Sequence, residues 1–68
     1  MDKEKAKELI EEYKNDGFPY VDVELNDERV IKVSLEKELC RYGNHFLKIM
    51  SGDLFICIRY STIKSIAI

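Results

Sequence analysis

The stretch Tyr20-Val21-Asp22-Val23-Glu24-Leu25-Asn26-Asp27-Glu28-Arg29-Val30-Ile31-Lys32-Val33-Ser34-Leu35 decides the fold. Val21, Val23 and Leu25 alternate with Asp22 and Glu24, and Ile31, Val33 and Leu35 alternate with Lys32 and Ser34. A period of two sends successive side chains to opposite faces of an extended chain, so each run has one apolar face. Asn26-Asp27 supplies turn chemistry between them. The prediction is a β-hairpin with one buried face.

Toward the C-terminus the pattern remains extended. Residues 36–42 read two ways: Glu36-Lys37-Glu38 either continues the second strand as a long bent one or begins a loop. Gly43-Asn44 is a second hairpin signal, Phe46 to Met50 a third strand, and Ser51-Gly52-Asp53 the next turn. Leu54 to Tyr60 is rich in β-branched and aromatic residues, with Leu54, Ile56, Ile58 and Tyr60 on one side and Phe55, Cys57 and Arg59 on the other. Apolar residues on both sides predict that both faces are covered. Ser61-Thr62 breaks the run, and Ile63 to Ile68 forms a short last strand.

Toward the N-terminus the period changes. Ala6, Leu9, Ile10 and Tyr13 follow the i, i+3, i+4, i+7 spacing of one helical face, and Lys and Glu residues fill the rest. Asp2 can cap the start, and Asn15-Asp16-Gly17 ahead of Pro19 ends it. The charge run reads as a solvated face, and the four-residue stripe must lie on something else.

The fold class that follows is mainly β with one N-terminal α-helix. Residues 1–68 form one domain, a helix over 2–16 and a strongly bent, five-stranded antiparallel open barrel over 20–68. Short strands with little chain to spare favour such a barrel over a flat sheet, because closure limits exposed edges. The remaining open edge is assigned to Ile58, Ile66 and Ile68. Either it pairs with another subunit, head to tail and closing into a ring, or the helix covers it.

Composition bounds the function. A chain of 68 residues buries only about 60% of the surface its unfolded form exposes, so its stability is marginal and subunit association helps. The net charge of -2 lacks the footprint of a general nucleic-acid binder. Twelve of the thirteen acids lie in residues 1–38, however, and beyond them Asp53 stands against Arg41, Lys48, Arg59, Lys64 and His45. Cys40 and Cys57 lack the paired spacing of a zinc site and are expected as buried thiols. No apolar run is long enough to span a bilayer, and the first twelve residues are dominated by charge and lack the apolar run of a secretory signal, so a cytoplasmic, non-membrane protein is expected. Phosphate-binding loops, nucleophile elbows and metal-spaced histidines are absent from the sequence, which points away from an enzyme and from cofactors.

Tyr42-Gly43-Asn44, at the turn before the third strand, and Ile58-Arg59-Tyr60 followed by Ser61-Thr62-Ile63 resemble the two motifs of the Sm-like family of small β-barrels. The first family motif sets an aromatic or histidine, a methionine and an asparagine in succession, and the second begins Ile-Arg-Gly. Here Cys40 stands for the family's aspartate, Gly43 for its methionine and Tyr60 for its glycine. The resemblance implies a ring-forming homo-oligomer that binds single-stranded RNA. Tyr42 would stack on a base, Asn44 bond its edge and Arg59 pack on the other face of the ring, with His45 and Tyr60 beside them.

The same residues also have plainer readings. Gly43-Asn44 serves as a turn pair, Tyr42 and Tyr60 pack across strands, Arg59 pairs with Asp53 or Glu24, and His45 sits at the solvent edge. The corresponding function is a non-catalytic interaction module or adaptor. It would bind a protein or small-molecule partner through its helix or open strand edge.

Overall fold

The computed structural model describes residues 1–37 and 39–68, with Ser51 described through its backbone. One helix, α1 (Lys3–Asn15), precedes six strands: β1 (Tyr20–Leu25), β2 (Val30–Ser34), β3 (Leu39–Tyr42), β4 (Phe46–Ser51), β5 (Leu54–Arg59) and β6 (Ile63–Ala67). A single 3-10 turn, Tyr60–Thr62, separates the last two. The strands form two antiparallel three-stranded sheets, ordered β2-β1-β6 and β3-β4-β5.

Local chemistry sets the helix ends. The Asp2 carboxylate accepts the Lys5 backbone N–H at 2.8 Å, satisfying one of the amides the first turn leaves unpaired. At the other end Gly17, with φ of 86°, donates to the Lys14 carbonyl, and Phe18 donates to Tyr13, both at 3.1 Å. This is a Schellman closure, and the apolar contact that accompanies such closures is the edge-on pair of Tyr13 and Phe18 rings, 5.7 Å apart. The helix lies against β1 and β6 and inserts Ala6 and Ile10 into the core. Full burial of a side chain such as Ile10 contributes about 1.5–3 kcal/mol. No helix among the described residues is long and apolar enough to cross a membrane.

The expected hairpin forms with Val21 opposite Val33 and Val23 opposite Ile31. Its loop is longer than the Asn26-Asp27 pair suggests. Leu25 N–H reaches the Arg29 carbonyl at 2.8 Å, Glu28 takes a φ of 72°, and Asp27 accepts both the Arg29 amide and its Nε.

Two expectations about the sheet are corrected. The second strand is not one long bent strand: it stops at Ser34, whose Oγ accepts the Lys37 N–H at 3.2 Å, and turn residues 35–37 redirect the chain. The five expected strands are therefore six, and in place of one five-stranded open barrel they form two three-stranded sheets. Glu38, within that ambiguous stretch, lies outside the described residues. The core is shared by both sheets and the helix: Val21, Val23, Val33, Leu47, Ile49 and Ile63 are all nearly inaccessible.

The second correction concerns β5. Both of its faces were expected to be covered, yet Leu54, Phe55, Ile56 and Cys57 are all exposed, and only Ile58 of the strand is buried. The reason is position: β5 is the outer strand of its sheet, and Phe55 and Cys57 face away from the core that Ile58 enters. Cys57 is exposed and Cys40 half-buried, so the expectation of two buried thiols fails.

Candidate functional site

The turn between β3 and β4 is tight. Gly43 N–H donates to the Phe46 carbonyl at 2.9 Å, and a Cβ on Gly43 would lie 3.0 Å from that same oxygen. A side chain there would press on that oxygen unless the turn gave by a few tenths of an ångström, so the close approach favours glycine.

Tyr60, the first residue after β5, ties this turn to the corner leading into β6. Its hydroxyl donates to the Gly43 carbonyl at 2.9 Å and its backbone N–H to the His45 carbonyl at 3.1 Å. The Thr62 hydroxyl donates to the Arg59 carbonyl at 2.7 Å and stiffens the corner itself. Asn26 secures the other side of the corner, its N–H bonding Thr62 and its side-chain amide Ser61, at 2.8 and 3.0 Å. Burial, then the nearby charge of Glu4, raises the Tyr60 pKa above the usual tyrosine value, so the hydroxyl stays a donor.

Between the turn and the corner opens a cleft of about 350 Å³, lined by Asp2, Lys3, Asn44, His45, Arg59, Tyr60 and Ser61. Asn44, His45 and Arg59 are exposed. The Arg59 guanidinium lies over the Phe46 ring, 5.0 Å from its centroid, which is cation–π distance. Glu24, one of the two acids considered for Arg59, instead faces Lys64 at 3.9 Å and accepts from Ser65.

Chemically the cleft offers an amide with both donor and acceptor, an imidazole, and a planar cation braced on an aromatic ring. Lys3 also lines it, while the Asp2 carboxylate is engaged in capping α1. That set suits a flat heteroaromatic group with a polar edge and a nearby negative charge.

The sequence-predicted residues separate into three groups. Asn44, His45 and Arg59 come together in the cleft. Tyr60 lines it too, but at 4% exposure it acts as a strut and presents no stacking face. Tyr42 is elsewhere: it packs half-buried under α1 beside Ile10, Leu35 and Cys40, donates to the Glu11 carboxylate at 3.3 Å, and has Lys7 Nζ 5.7 Å from its ring centroid. Burial and then the Glu11 charge push the Tyr42 hydroxyl well above the usual tyrosine pKa. Of the residues assigned to the oligomer edge, Ile58 and Ile66 point into the core at 4% and 5% exposure, and Ile68 is 61% exposed.

Asp2, Lys3 and Ser61 were missed as cleft residues. Asp2 was legible only as a cap, because its second neighbourhood depends on where α1 docks. Compared with protein-family models, with curated proteins and with solved structures, the chain matches none of them.

Proposed function

We propose that the chain is an Sm-like small β-barrel subunit that binds single-stranded RNA in the cleft between residues 43–45 and 59–61. The observation that carries this reading is the convergence of Asn44, His45 and Arg59 on one open cleft, from two segments fifteen positions apart, with Tyr60 tying the segments together. Asn44 would bond a base edge, Arg59 would offer a stacking plane held by Phe46, and His45, not Tyr42, would supply the other ring. The sheet order is compatible with the shape: β2 and β3, consecutive in the chain, are each an outer strand of their own sheet, so the order reads β6-β1-β2 and then β3-β4-β5, as the halves of one interrupted barrel strand would require.

Association of copies is supported by the two ends of that order. β5 and β6 each border a sheet on one side only, and Leu54 and Ile56 at the β5 edge are 70% and 40% exposed. Such an edge invites another backbone, and a second copy supplies β6. The same exposed edge also favours a second reading, an adaptor that captures an extended segment of a different protein by strand addition.

Fluorescence anisotropy with labelled oligo-U and oligo-A at low salt tests the RNA reading. Asn44→Ala and Arg59→Ala are each expected to weaken binding by about tenfold, since one base contact is typically worth about 1–3 kcal/mol. An absence of binding to either RNA removes the RNA reading and leaves the adaptor.

A further inference from the structure

The outward face of the β3-β4-β5 sheet can be read directly from its register. Leu39 stands opposite Met50 and Met50 opposite Phe55, forming one rung across three strands. Arg41, Lys48 and Cys57 form the next rung, and Phe46 with Arg59 the last. These residues alternate with Leu47, Ile49 and Ile58, which fill the core, so they point away from it.

The composition of this face differs from that of the whole chain. It carries Arg41, Lys48 and Arg59, and β3, β4 and β5 contain no Asp or Glu at all, although the net charge of the protein is -2. Neither ion pair found among the described residues involves these three cations. Interleaved with them are Phe46 and the 58%-exposed Phe55, with Leu39 at 49%. A strand rise of ~3.4 Å per residue sets the Phe46 and Phe55 rungs, four residues apart along β4, about 14 Å from each other with the cations between. One half-buried and one exposed ring separated by positive charge match a chain of bases joined by phosphates.

We propose that this face is a track for single-stranded nucleic acid, continuous with the cleft through Arg59. A strand whose base occupies the cleft would leave it over Phe46, set its phosphates on Lys48 and Arg41, and stack a further base on Phe55. The proposal deepens the RNA reading and rests on the chain binding single strands at all. It assigns a separate set of residues, so the two can fail separately.

Anisotropy of the full chain with labelled oligouridylates of four and twelve nucleotides tests it, using Asn44→Ala for the cleft and Arg41→Ala/Lys48→Ala/Phe55→Ser for the track. The longer strand is expected to bind at least about tenfold more tightly, one extra stacked base sufficing. The track variant should lose most of that gain, leave the short strand unaffected, and reduce the log–log salt slope by about 1.4, the loss of two phosphate contacts. Equal affinity for both lengths, with Asn44→Ala still harmful, overturns the track and keeps the cleft. Harm from the track variant with none from Asn44→Ala supports the track and overturns the cleft. Failure to bind either strand overturns both. If the protein instead sediments with phosphatidylserine-containing vesicles in a Phe55-dependent way and ignores RNA, the face is a membrane contact and the track is wrong.

Discussion

Tyr42 and Tyr60 show how similar side chains acquire different work from their surroundings. Both hydroxyls donate, Tyr42 to a carboxylate and Tyr60 to a backbone carbonyl, and both hold their protons more strongly than a solvated tyrosine. The sign of the consequence is fixed: above about pH 10, the usual tyrosine pKa, the unfolded chain sheds protons that the folded one retains, so stability falls as pH rises. Urea midpoints should stay level with respect to these groups up to about pH 9.5 and then decline, with Tyr42→Phe flattening the decline. A wild-type midpoint that holds steady through pH 11 contradicts this. At this scale the sequence was only partly legible. Asn44 and Arg59 could be picked out because a turn pair and an arginine at a strand end are visible locally. Tyr60 was placed beside the base-binding residues or read as packing across strands, and its role as a strut was missed because its bond to Gly43 spans seventeen positions and depends on tertiary contact.

The first hairpin was legible because alternation at Val21, Val23, Ile31 and Val33 determines both face and register. Its turn was not, because the loop solves its geometry with Glu28 in the left-handed region, where a side chain is normally disfavoured. Glu28→Gly is therefore expected to stabilise the protein by roughly 0.5–1 kcal/mol, raising the thermal midpoint of a domain this size by about 2–8 °C. A lower midpoint would mean that the Glu28 side chain has a stabilising role of its own. The break between β2 and β3 was half visible: residues 36–42 admitted a loop or a strand. What decides it is the Ser34 hydroxyl bonding back to Lys37, a side-chain-to-backbone competition that strand propensity does not register.

At the scale of the molecule, a radius of gyration of 10.8 Å leaves little interior, and β5 carries three of the exposed large apolar residues, Leu54, Phe55 and Ile56. Strand parity divides that surface. Leu54 and Ile56 continue the core side at the edge and suit a neighbouring copy, whereas Phe55 belongs to the basic outer face. Association through the edge links folding to concentration, so the thermal midpoint should climb as protein concentration rises. Ile56→Lys should abolish that dependence and give a monomer by native mass spectrometry. A wild-type monomer with a concentration-independent midpoint removes self-association. The sheet face with Arg41, Lys48 and Arg59 escaped sequence reading because acids elsewhere mask it in the total charge, and only the register gathers the three cations on one face.

The cleft draws its walls from Asp2 and Lys3 at one end of the numbering and from Arg59, Tyr60 and Ser61 at the other. A growing polypeptide that has not yet reached Arg59 possesses Asn44 and His45 but not the wall that faces them. If the cleft binds as proposed, a polypeptide that has not reached Ser61 would lack the affinity of the finished chain.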